Sequence, residues 1–118
     1  MANYAAGHDA YFLAVGSDGS GLTQALTVTS ATGTSTTVFG SQTRAVQIVV
    51  GGAVGSAGQV FVRFYSTGQP NSQASSTSDA AIPVNWVYQA KINPGQRASL
   101  ISGDALTSYR CYVSELWN

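Results

Sequence analysis

With 118 residues, a hydrophobic share of 44% and a charged share of only 8%, the chain is long enough for one buried core, and neutral side chains must cover its surface. Five Lys or Arg against five Asp or Glu leave a formal net charge of +0, which excludes the electrostatic footprint of a nucleic-acid binder and the polybasic patch of a membrane-surface protein. A single cysteine excludes an internal disulfide framework.

The basic residues, Arg44, Arg63, Lys91, Arg97 and Arg110, are scattered rather than clustered. Ser, Thr, Gly, Asn and Gln therefore do most of the solvating, and such a surface sets up little long-range repulsion against a permanent neighbour. Met1 to Ala10 lacks a basic stretch followed by an apolar one, and no run is long enough to span a bilayer. Synthesis in a cytoplasm is the expectation, a host's cytoplasm if the protein is viral.

In chain order, Tyr11 to Val15 and Thr23 to Thr29 read as strands, separated by the turn-rich Gly16-Ser17-Asp18-Gly19-Ser20-Gly21. Ala31 to Thr37 is a Thr-rich connector. The stiff branched Cβ of Thr favours extended backbone there, so the segment is either an arm that something packs on or a mobile linker. Arg44 to Val50 alternates, with Val46, Ile48 and Val50 on one face. Gln59 to Tyr65 repeats the pattern with Val60, Val62 and Phe64. The Gly-rich Gly51 to Gly58 between the two runs suits a hairpin or a wide loop, and the two strands are expected to lie antiparallel.

Ser66 to Ser78 is polar and turn-rich and is expected to be an exposed loop. Strands are then expected at Ala80 to Val84, Trp86 to Ile92, Arg97 to Ile101 and Tyr109 to Leu116. Pro83 marks an edge or bulge, and Trp86, Tyr88, Ala90 and Ile92 share a face. Asn93-Pro94-Gly95-Gln96 carries the signature of a type II turn, whose third residue needs a positive φ. No stretch sustains a helical period. Short strands at roughly ten-residue spacing predict an all-β antiparallel domain, a β-sandwich or jelly roll. Residues 1–40 form an extended N-terminal arm or first strands, and residues 41–118 the sandwich core.

Residues able to do chemistry are few. His8 is the lone histidine and has no partners in sequence with which to build a triad or a metal site. Cys111 alternates with Tyr109 and Val113, where a buried thiol packs. Neither Gly-rich segment ends in the Gly-Lys-Ser/Thr of a phosphate loop. Asp9, Asp18, Asp79 and Asp104 sit in or near turns, and Asp18 lacks the companion acids of a calcium loop. No catalytic set, cofactor or metal is expected. The candidate interface residues are instead aromatic and apolar, namely Tyr11 and Phe12 in the first strand and Tyr112, Leu116 and Trp117 in the last. Tyr112 and Leu116 fall on the face opposite Cys111 and Val113. They either meet a partner or lie in a two-sided core covered by the N-terminal region.

The run from Ala81-Ile82-Pro83-Val84-Asn85-Trp86 through Asn93-Pro94-Gly95-Gln96 to Ser99-Leu100-Ile101 resembles small structural proteins of tailed bacteriophages. Those proteins carry an Ile-Pro strand, an extended aromatic segment, a Pro-Gly turn, an apolar strand and a closing strand. Tyr112-Val113-Ser114-Glu115-Leu116-Trp117 resembles the closing strand, and Val46 to Tyr65 resembles the hairpin before it. The resemblance covers about the last two-thirds of the chain, rests on strands and turns, and leaves residues 1–40 outside its compact pattern. It implies a capsid decoration or cement protein on the outer surface of the virion. Such a protein binds the major capsid protein and itself, often as a homotrimer at a symmetry axis, or occupies a related tail or head-tail position. The alternative function is a carbohydrate- or receptor-binding sandwich of a tail or head fibre, in which Trp86, Tyr88 or Trp117 stacks on a sugar.

Overall fold

A computed structural model describes residues 12–13, 21–30, 33–51, 58–66, 74–75, 79–103 and 108–117. Among them are nine strands and no helix: β1 Phe12–Leu13, β2 Thr23–Val28, β3 Thr34–Ser35, β4 Ala45–Gly51, β5 Gln59–Ser66, β6 Ala80–Pro83, β7 Val87–Lys91, β8 Gln96–Ser102 and β9 Tyr109–Trp117. All pair antiparallel into two sheets. Sheet I runs β2-β9-β4-β7, with β1 continuing the β2 side of β9, and sheet II runs β3-β8-β5-β6.

From β2 onward only the step from β5 to β6 stays within a sheet, and every other connection crosses between the two. The order 2-9-4-7 over 3-8-5-6 is that of an eight-stranded jelly roll. Period-2 alternation builds it. Val46, Ile48 and Val50 of β4, and Tyr109, Cys111 and Val113 of β9, point inward from sheet I, while Val60 and Val62 of β5 and Ala98 and Leu100 of β8 face them from sheet II. Val28, Phe39, Ile82, Val84 and Ile92 complete that core.

The β4 and β5 strands, expected as an antiparallel pair, lie in different sheets and do not pair; β4 bonds to β7 and β9, and β5 to β6 and β8. Both runs have one inward-facing apolar face, buried throughout in β4 and buried at Val60 and Val62 in β5. Stacking the two faces against each other hides both, whereas joining the strands edge to edge would leave the faces needing a further cover. Trp86 also departs from its expected face. Asn85 adopts φ 67 after β6, its N–H bonds to Val50 O at 2.8 Å, and this turn resets the alternation so that only Tyr88, Ala90 and Ile92 point inward.

The Asn93-to-Gln96 turn matches the expectation. Gly95 has φ 85, Gln96 N–H donates to Asn93 O at 3.2 Å, and Gln96 Oε1 accepts from Asn93 N–H at 2.8 Å. Within the Thr-rich connector, β3 lies along β8 and the contact continues beyond it, where Thr36 N–H bonds Ala98 O and Thr36 Oγ1 accepts from Ala98 N–H. Thr36 is buried because it acts as an edge residue of sheet II rather than as a linker. Of the expected arm, residues 1–11, 14–20 and 31–32 lie outside the described residues. Its described parts supply β1, β2 and β3 and put Val28 and Phe39 in the core.

Candidate binding face

The two outer faces of the sandwich differ. On sheet II, Ala74, Ser75 and Asp79 sit against Ser99 of β8 and Arg63 of β5, outward-pointing residues that pair across the two strands. Ala74, itself buried, donates its N–H to Ser99 Oγ at 3.0 Å, and Ser99 is buried beneath it. Asp79 fixes this segment. Its carboxylate accepts from Ser75 N–H at 2.7 Å and meets Arg63 Nε at 3.0 Å. The polar stretch expected to be an exposed loop therefore has at least this buried anchor at Ala74, while residues 67–73 and 76–78 lie outside the described residues.

No such cover lies over the middle of sheet I among the described residues. The register there sets outward side chains into cross-strand rows, because directly opposed residues point to the same side. One row is Val87, Val49, Tyr112 and Ala25, across β7, β4, β9 and β2. Val87 is 60% exposed and Tyr112 is 43% exposed, and Trp86 beside them is 65% exposed. The adjoining row is Gln89, Gln47, Ser114 and Thr23. Its groups satisfy one another, Gln89 Nε2 donating to Gln47 Oε1 at 3.2 Å and the Thr23 and Ser114 hydroxyls lying 2.8 Å apart. The third row is Lys91, Ala45, Leu116 and Leu13.

One apolar row, Val87, Val49, Tyr112 and Ala25, thus lies beside a neutral polar row whose hydrogen bonds are already made, while in the third row Ala45 and Leu116 are buried and Lys91 and Leu13 are exposed. Covering such a surface releases water from the apolar row and strips few unsatisfied groups of their hydration, so the desolvation cost stays low. Charge stands only at its margins among the described residues, with Lys91 at one end and Arg110 tied to Thr27 Oγ1 at 3.1 Å at another.

The five residues singled out from the sequence are placed unequally. Tyr112 lies in the middle of this face. Leu116 points the same way but is only 2% exposed, beside the equally buried Ala45, and so offers no accessible surface. Trp117 is half-buried on the other side of β9, and its indole N–H meets no acceptor among the described residues. Phe12 pairs through its backbone with Trp117, and Tyr11 lies outside the described residues.

Sequence reasoning missed Val49, Val87, Gln47 and Gln89 as members of the face. Their signal was the unused half of the alternation in β4 and β7; what it lacked was the knowledge that β4 and β7 are neighbours. His8, Asp9, Asp18 and Asp104 lie outside the described residues. Cys111 is fully buried, and burial pushes its thiol up from 9.0 to about 12, which makes it a packing group with no nucleophilic reach. Among the described residues no three His, Cys, Asp or Glu gather in one place.

No family model matches the chain, and no curated protein or solved structure does either.

Proposed function

We propose that this chain is a structural protein of a bacteriophage particle, a decoration or cement protein that lays the outer face of sheet I on the major capsid protein lattice. The observation that carries the reading is the asymmetry of the sandwich. Among the described residues, one outer face carries Ala74, Ser75 and Asp79 over Ser99 and Arg63, and the other presents a neutral, partly apolar row in which Val87 and Tyr112 are exposed. The phage-like order of strands and turns from Ala81 to Ile101 supports the same reading.

A flat neutral face of this kind gives a modest interface, and repetition by the symmetry of a shell turns many modest interfaces into firm attachment. Copies made in the host cytoplasm would dock after the shell assembles, adding contact area across its seams. The protein acts in this reading by contact alone, without catalysis or a cofactor.

Mass spectrometry and imaging of purified particles test it. The chain is expected at high copy number on the shell, and Tyr112→Arg, which sets a charge in the middle of the apolar row, is expected to strip it from particles while leaving the isolated protein folded. Particles that lack the wild-type chain would end the proposal.

Trp86 favours a second reading. An indole 65% exposed at the rim of a sheet can stack on the apolar face of a sugar, as in a carbohydrate-binding sandwich of a fibre. Glycan-array binding that is lost in Trp86→Ala would favour it over shell attachment.

A further inference from the structure

We propose that two copies of this chain join through β7, pairing the strand with itself about a two-fold axis at Gln89 so that sheet I runs unbroken from one copy into the other. This pairing uses the edge of sheet I rather than its face, and so stands apart from the attachment proposed above.

The starting point is which backbone groups the edge presents. Ile92 N–H bonds to Arg44 O at 3.0 Å, which in the β4 to β7 register makes the even residues of β7 the ones that bond inward to β4. The N–H and C=O groups of Val87 and Gln89 then point away from β4, toward the open side of the strand, and meet no partner among the described residues. A shallow depression lined by Ala45, Gln89, Ala90 and Lys91 lies beside them.

Sheet edges invite pairing, and chains that stay single blunt them. The neighbouring edge, β6, is blunted. Val84 N–H bonds to Gly58 O, so the odd residues of β6 face outward, and one of them is Pro83, which has no N–H to offer. The β7 edge carries no proline. It starts instead with Trp86 and Val87, the two most exposed large apolar side chains among the described residues.

A second copy fits this edge about its centre. The two-fold axis sets Gln89 opposite Gln89 of the second copy, each donating its N–H to the other's C=O, and the amide row Gln47–Gln89 runs on into its two-fold copy. Val87 falls opposite Lys91 of the second copy, so the two lysines never meet. On the inner side Tyr88 falls opposite Ala90 of the second copy, large against small. Slipping the pairing by a single residue would put backbone groups already bonded to β4 against groups that need a partner, so the register is set by hydrogen bonding as well as by shape.

The test is the mass of the full chain by light scattering across a dilution series, alongside the variant Gln89→Pro. Proline at this position removes an N–H that β4 does not use, so the fold, followed by circular dichroism, is expected to survive. The wild type is expected to form dimers at about 0.1 mM that dissociate on dilution, and Gln89→Pro to weaken them by about tenfold or more. A wild-type monomer at that concentration, a trimer, or a folded Gln89→Pro that dimerises as well as the wild type would overturn the proposal. Should Gln89→Pro not fold, hydrogen exchange of the wild type decides the matter. Protection of the Val87 and Gln89 amides that fades on dilution supports the pairing, and fast exchange of both at the highest concentration refutes it.

Discussion

The phenol of Tyr109 fills the space where a side chain on residue 58 would stand: a Cβ built on Gly58 would overlap the Tyr109 hydroxyl and ring. The ring is buried in the core, and Val84 N–H closes the same corner by bonding Gly58 O at 3.2 Å, so neither partner can withdraw freely. Gly58→Ala is therefore expected to cost about 3 kcal/mol in urea unfolding, the upper end of overpacking effects. Adding Tyr109→Val should recover much of that loss, because the two sites share one space and their effects cannot add. Tyr109→Phe alone is expected to leave stability unchanged or slightly raised, since the buried hydroxyl meets no acceptor among the described residues.

Glu115 is the other closing device. It stands near the end of β9, where its Oε1 accepts from Gly40 N–H at 2.9 Å and from Thr43 Oγ1 at 2.5 Å, while its own N–H bonds Leu22 O. Thr43 is wholly buried, so losing the carboxylate leaves its hydroxyl unpaired out of reach of water. Glu115→Ala should cost about 2–3 kcal/mol, and Glu115→Gln, which keeps a carbonyl oxygen in place, about 1 kcal/mol. Equal losses in the two variants would show that the donors need the charge of the carboxylate, which Gln lacks, and that side-chain packing contributes little.

Strand pattern along the chain revealed seven of the strands almost to their ends and the Phe12–Leu13 part of an eighth, together with the inward set Tyr109, Cys111 and Val113, because period 2 is a local property that a core imposes on every strand it buries. The Pro94-Gly95 turn was equally legible, since a positive φ at its third residue leaves few substitutes for Gly. Which strands are neighbours was not legible. Nothing local to Val46–Val50 or Val60–Phe64 says that these runs face each other across the core rather than pair. The candidate face inherits that gap: Val87, Val49, Tyr112 and Ala25 come from four separate segments, and only the register of β7, β4, β9 and β2 sets them in a row. The cover over sheet II was hidden for a different reason. It hangs on one small residue, Ala74, and one ion pair, Arg63 with Asp79, inside a stretch whose composition is that of a loop.

Gly95 gives a cleaner measure of backbone strain than any core site. A Cβ there would meet nothing within 4 Å, yet φ is +85, a region that side chains rarely adopt. Gly95→Ala is thus expected to cost about 1 kcal/mol with no packing contribution, and Gly95→Asn less, because Asn tolerates left-handed backbone better. Asn85, which already holds φ 67, should show the converse. Asn85→Gly is expected to be neutral, and Asn85→Val to lose about 1–2 kcal/mol by thermal unfolding.

The buried thiol makes stability depend on pH in a defined direction. Cys111 in the folded chain holds its proton up to about 12, whereas a free thiol loses it near 9.0. Between those values the unfolded chain ionises and the folded chain does not, so the group favours the folded state in full below pH 9 and progressively less as pH rises toward 12. The readout is a difference between two proteins: the wild type should lose stability more steeply than Cys111→Ala above pH 9 and in parallel with it below. In the same window an alkylating reagent should modify wild-type Cys111 only at the rate of unfolding, with urea accelerating the reaction in step with the unfolded fraction. Rapid labelling of the folded protein at neutral pH would mean that sheets I and II open far enough to admit solvent to the core.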